Sequence, residues 1–255
     1  METLPSPEGR PLVLAHRGAS ADAPENTLEA FREAVRQGAD GVELDVMVCA
    51  TGEVVVCHDE WLDRLAGEHL EVLRTPFERL RSVDVGSRFS SRFAGERIPT
   101  LAEVFAVLPA GMLVNVELKC ETARDHGLTA SALRVIAADQ GRHEIVLSSF
   151  NPLCLARVRL LAPRSRVGLL FESGQPPVLR SGRLAPLLAT SSIHPEHGLC
   201  SKERVGRWHR QGLQVLTWTV DAPADVERCC RAGVDGLITN RPAATLALAR
   251  RHGKG

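Results

Sequence analysis

Short apolar runs alternate along this chain with stretches whose apolar residues recur at helical spacing, the pattern of β–α units feeding a parallel sheet. LVLAH (Leu12 to His16) predicts a first strand. Leu28, Phe31, Ala34 and Val35 predict a helix from about Thr27 to Gln37, capped by Asn26 or Thr27 and followed by Gly38. VELDV (Val42 to Val46) is the second strand. VVVCHD (Val54 to Asp59) follows too soon for a helix to intervene, so it reads as a hairpin or extension.

Residues 59–100 are irregular and read as an insertion, after which Pro99 or Thr100 opens a helix running to about Leu108. Five further strands are predicted at Leu113 to Leu118, Ile145 to Ser149, Arg166 to Phe171, Gln214 to Val220 and Asp235 to Thr239, with a weak one at Ser191 to His194. Helices are expected near Thr129 to Gln140, Pro152 to Leu161, Val178 to Leu188, Ser201 to Gln211, Ala222 to Ala232 and Pro242 to Arg250. That makes eight strand–helix units, so the expected fold is α/β, a (β/α)8 TIM barrel with a small insertion after the second strand. A doubly wound open sheet is the alternative, but no GxGxxG follows the first strand. No linker divides the 255 residues, which read as a single domain with Pro5 to Pro11 as a short flexible lead-in.

Composition adds mostly exclusions. The 31 basic and 31 acidic residues cancel, leaving no basic footprint for nucleic acid. Seven scattered cysteines, without a CxxC pair, suit neither a zinc site nor a disulfide framework, and a reduced cytoplasmic protein is expected. No signal-peptide core and no run of about 18–20 apolar residues is present, so no stable membrane insertion is expected. The lysines are Lys119, Lys202 and Lys254 alone, so a lysine at the end of a strand stands out.

The candidate chemistry lies in the strands. In VELDV the period of two turns Val42, Leu44 and Val46 one way and Glu43 and Asp45 the other. LVNVELK repeats the device with Asn115, Glu117 and Lys119. On antiparallel strands these would be solvated faces, but parallel strands are covered on both sides. The apolar set then faces the helices and the carboxylates face the barrel centre. Buried carboxylates cost several kcal/mol each unless paired, so three together imply a cation. Oxygen ligands without Cys or a His pair suggest Mg²⁺ or Ca²⁺. An internal ion-pair cluster with Arg17 and Lys119 is the competing explanation. His16-Arg17 and His58-Asp59 end their strands on the side where such barrels carry active sites. Two histidines, an arginine and a lysine around a cation suit a phosphate substrate.

HRGASADAPENTLEAF (from His16), GADGVELDV (from Gly38), VVVCHD, IPTLAEVF (from Ile98), VNVELK, LSSF (from Leu147), TWTV (from Thr217) and GVDGLITNRP (from Gly233) together resemble the glycerophosphodiester phosphodiesterase family. The similarity runs from about residue 13 to 245, in the family's order. It implies hydrolysis of small-molecule glycerophosphodiesters, such as glycerophosphocholine or glycerophosphoethanolamine, to sn-glycerol 3-phosphate and an alcohol. It implies metal ligation by Glu43, Asp45 and Glu117, acid–base roles for His16 and His58, and phosphate contacts from Arg17 and Lys119. Trp218 corresponds to the family's aromatic wall, and 59–100 to its insertion. Three departures stand out: Ala50 to Glu53 where a TKDG-like turn is usual, Arg64-Leu65-Ala66 for an Arg-Thr-Thr-like stretch, and Asn240 where Asp is common. Two other functions stay open, a lysophospholipase D using apolar residues of the insertion and a barrel that binds phosphodiesters without cleaving them. The oligomeric state is not legible. Of the remaining histidines, His194-Pro195-Glu196-His197 reads as a loop with two solvated rings.

Overall fold

A computed structural model describes residues 4, 9–120, 122–178 and 180–253; Pro5 to Glu8 of the expected lead-in, and Lys254, lie outside the described residues. In chain order the strands and helices are β1 (Leu12–His16), α1 (Leu28–Arg36), β2 (Gly41–Val48), β3 (Val54–Val56), α2 (Asp63–Ala66), α3 (Phe77–Ser82), α4 (Leu101–Val107), β4 (Leu113–Leu118), α5 (Leu128–Ala138) and β5 (Glu144–Ser149). Then come α6 (Pro152–Leu161), β6 (Arg166–Phe171), β7 (Ser192–Pro195), α7 (Lys202–Arg210), β8 (Gln214–Thr217), α8 (Pro223–Ala232), β9 (Gly236–Thr239) and α9 (Pro242–Ala249). Eight strands are parallel neighbours, and β1 pairs with both β9 and β2, which closes the ring. β3 pairs antiparallel with the end of β2, the expected hairpin. The architecture is the (β/α)8 barrel that the alternation predicts.

Side-chain periodicity divides this barrel into two cores. Val42, Leu44, Val46, Val114, Val116 and Leu118 pack outward with helix residues such as Phe31, Leu101 and Val104. Each such side chain, removed from water, contributes about 1.5–3 kcal/mol. Leu12, Leu14, Leu113, Val146, Leu216 and Ile238 of the strands form, with Leu4 ahead of β1, a separate apolar plug below the cavity. The insertion has its own core, in which Leu62, Val72, Leu80, Val83 and Ile98 pack on Met47, Val55 and Cys57 of the hairpin.

Four expectations need correction. The helix expected at Val178 to Leu188 is a string of turns among the described residues. Pro176 and Pro177 precede it, Pro186 cannot donate within it, and Gly182 takes φ +71 beside the Trp208 ring. The strand at Gln214 to Val220 stops at Thr217. The lead-in is anchored at its end, since Arg10 is buried and forks onto the Asp40 carboxylate at 2.6 and 2.9 Å. His194 is no loop residue; it lies fully buried in β7, its Nε2 2.9 Å from the Ser192 hydroxyl. Gly168 on the neighbouring strand makes that possible, because a Cβ there would sit 2.4 Å from the ring. Burial pushes the His194 ring down to about 3, so it stays neutral.

Candidate active site

The site begins where β1 ends. Arg17 and Gly18 take φ of +56 and +82, and the turn they make directs the Arg17 N–H onto the Glu43 carbonyl and carboxylate at 2.9 and 3.1 Å. A Cβ on Gly18 would lie 2.6 Å from Ala30, so only glycine fits. Sheet register does the rest: His16 is level with Glu43, and Asp45 with Glu117. Oxygens of Glu43, Asp45 and Glu117 all lie within 4.8 Å of one another, and all three residues are buried.

Two cations serve these three carboxylates. Arg17 Nε lies 3.2 Å from Asp45, and Lys119 Nζ lies 3.1 Å from Glu117 and 3.9 Å from Asp45. The ion pairs of the competing explanation are therefore present, and they leave one negative charge over. Burial, then repulsion from Asp45 and Glu117, raises Glu43 well above the ordinary carboxyl range. Burial and Asp45 likewise push Glu117 up to about 7. For Asp45 burial acts upward too, but Arg17 and Lys119 outweigh it and hold the group below its ordinary value. A buried, hard, oxygen-only donor set that carries, once fully ionised, one more negative charge than Arg17 and Lys119 balance fits a divalent cation.

Both histidines stand at this end. His16 Nδ1 meets Asn240 Oδ1 at 2.7 Å, and its Nε2 lies 4.0 Å from Glu43. Burial and the neighbouring Arg17 lower the His16 ring below its usual range. His58 Nδ1 lies 2.7 Å from Asp59, which takes Arg64 Nε at 2.7 Å. Arg64 also forks onto Glu25 at 2.6 and 2.9 Å, and Glu25 accepts from Arg17 at 2.9 Å, so an alternating chain of charges links the two sides. Trp218 donates from Nε1 to the His194 carbonyl at 2.7 Å and meets Phe150 edge-on, centroids 5.4 Å apart.

A cavity of about 670 Å³ opens over this group. Every predicted site residue except Asp45 lines it; Asp45 lies beneath, fully enclosed. No residue of 59–100 is among the lining residues. Several participants escaped the sequence reading. Asn26, weighed as a helix cap, instead donates to Asp45 at 3.0 Å while Thr27 caps α1. Arg64, noted as a departure from the family, ties His58's partner to Glu25. Only the stretch Glu25-Asn26, two polar residues inside a quoted motif, hinted at this.

A sequence model of the glycerophosphoryl diester phosphodiesterase family matches residues 16–244. The chain belongs to this family. Over 243 residues it is 37% identical to a glycerophosphodiester phosphodiesterase of Caldanaerobacter subterraneus subsp. tengcongensis, covering 95% of this chain and 99% of that one. Among solved structures it resembles a phosphodiesterase of Oleispira antarctica in complex with the product sn-glycerol-3-phosphate, with TM-score 0.82, 29% identity and coverage of 94% and 96%. A glycerophosphodiester phosphodiesterase of Thermotoga maritima matches with TM-score 0.73 and 27% identity over 93% of this chain and 98% of that one. The family member described here is accordingly a phosphoric diester hydrolase, and none of its helices, among the described residues, is long and apolar enough to cross a membrane.

Proposed function

We propose that this enzyme hydrolyses glycerophosphodiesters with small alcohol groups, such as glycerophosphocholine or glycerophosphoethanolamine, to sn-glycerol 3-phosphate and the alcohol. The observation that carries the reading is the cluster of three buried carboxylates at the same barrel end as two histidines, under one cavity. Glu43, Asp45 and Glu117 would hold a divalent cation, Mg²⁺ or Ca²⁺. Such an ion, when bound, supplies positive charge to the phosphate oxygens as negative charge grows on them.

The chain's own groups do the remaining work. Lys119 and Arg17, held among the carboxylates, offer positive charge to the phosphate. One histidine accepts the proton of the nucleophile, either the neighbouring glycerol hydroxyl or a water, and the other gives a proton to the departing alcohol oxygen. Trp218 and Phe150 form an aromatic wall for the organic part of the substrate. If the glycerol hydroxyl attacks, the product of that step is a cyclic phosphate and free alcohol, and water then opens the ring.

Turnover of glycerophosphocholine by His16→Ala, by His58→Ala and by chelator-treated protein tests this. Near wild-type rates in both variants would sink the acid–base reading, and rates untouched by EDTA would sink the cation. A lysolipid substrate is less well supported, because the insertion's Leu62, Leu65, Leu70 and Phe77 pack into its own core and away from the cavity. Comparing turnover of glycerophosphocholine and lysophosphatidylcholine separates the two substrates.

A further inference from the structure

An imidazole that accepts a proton must present a bare nitrogen, and the neutral ring has two tautomers available. For His16 the choice is made behind the ring. Asn240 Oδ1 meets His16 Nδ1 and the Ser20 hydroxyl, each at 2.7 Å. The other side of the same amide faces Asp221, with Nδ2 2.6 Å from Oδ2. The Asp221 Oδ1 is already taken by the Asn240 backbone N–H at 2.8 Å and the Thr239 hydroxyl at 2.9 Å. An ionised carboxylate has no proton to give, so only the amide nitrogen can face it. Turned over, the amide would press two acceptors together at 2.6 Å. The amide oxygen therefore faces His16, and a ring nitrogen at 2.7 Å from it has to be the one that carries hydrogen.

We propose that Asp221 and Asn240 form a positioning pair that locks His16 in the Nδ1–H tautomer and turns a bare Nε2 toward the cavity as the proton acceptor of the reaction. Nε2 stands 4.0 Å from Glu43, beyond hydrogen-bonding reach, and in this tautomer it directs no proton at that carboxylate. By exclusion, the proton for the leaving alcohol comes from His58. The acceptor role rests on the reaction proposed above; the tautomer does not.

Exchanging the polarity of the pair tests it. In Asp221→Asn the new side-chain oxygen still accepts from the Asn240 N–H and Thr239, so its amide nitrogen faces Asn240. The Asn240 amide then turns over and His16 switches to Nε2–H. Adding Asn240→Asp restores an acceptor opposite Nδ1 and returns the ring to Nδ1–H. ¹⁵N NMR of the histidine rings in metal-free protein reads this directly. The expected order is Nδ1–H in the wild type, Nε2–H in Asp221→Asn, and Nδ1–H again in the double exchange. The kcat for glycerophosphocholine falls about 10–100-fold in Asp221→Asn, with KM moved much less, and recovers in the double exchange. A wild-type ring protonated on Nε2, or a folded Asp221→Asn that keeps both its Nδ1–H signal and its kcat, overturns the proposal. The NMR series in an enzyme that cleaves no glycerophosphodiester would overturn the reaction instead and leave the positioning pair standing.

Discussion

The two ends of the barrel interior are built from the same strands and behave as different materials. Toward the N-terminal end β1 contributes Leu12 and Leu14 and β4 contributes Leu113, all packed in a dry apolar plug. Two residues further along each strand the inward positions become His16 and Asn115, and then Glu117. The lower half holds the barrel together by removing hydrocarbon from water. The upper half does the reverse, keeping carboxylates in a dry place where Glu43 and Glu117 resist ionisation. The strands therefore separate apolar packing from charge along their length, and the carboxylate-bearing end carries an electrostatic cost that the rest of the fold offsets.

The largest effect should come from breaking the upper half. His16→Ala and His58→Ala should each lower kcat by about 10²–10⁴-fold, the usual worth of a general acid or base, while the melting temperature changes little. Breaking the lower half should do the opposite. Leu14→Ala, at a fully buried position of the plug, should cost about 2–5 kcal/mol in urea unfolding and leave kcat per folded molecule intact. A fall in kcat per folded molecule in that variant would mean the two halves are coupled.

Next in size is the pH dependence of the metal-free protein. Glu43 and Glu117 have raised folded values, so the stability their protonated forms contribute is present at low pH and fades as pH rises, for Glu117 through about 7. Asp45 is shifted downward and acts only below its ordinary range, outside that window. A cation that binds the ionised cluster should therefore raise the melting temperature more at about pH 8 than at about pH 5.5. Calorimetry with Mg²⁺, with Ca²⁺ and with EDTA reads this, and an equal shift at both pH values would contradict it. The smallest effect should follow Arg64→Ala, which frees Asp59 and Glu25 from outside the cavity. About a tenfold loss of kcat/KM is expected, with cation affinity nearly unchanged.

Much of this was legible in VELDV and LVNVELK. Alternation at period two, in a chain of β–α units, put Glu43, Asp45 and Glu117 on one face, and the structure brings all three together. His16 was legible as the last residue of a strand, whereas His58 lies two residues beyond β3, which ends at Val56. The helix expected at Val178 to Leu188 failed because local apolar spacing said helix while Gly182 and Pro186 disallowed it. His194 was misread because a ring inside β7 needs the missing side chain of Gly168 on β6, and a space left by one strand for another leaves no mark in local sequence.

Which strand residues face inward and which face the helices were determined by the sequence itself, because backbone geometry ties each side chain's direction to its place in a short repeat. Tertiary structure alone decided who meets whom. Ring closure sets Asn240 of the last β–α turn against His16 of the first strand, 224 residues away, and insertion residue Arg64 between Asp59 and Glu25. Hydrogen-bond partners and the burial that moves a pKa are properties of three-dimensional neighbourhood, and no periodicity along the chain encodes them.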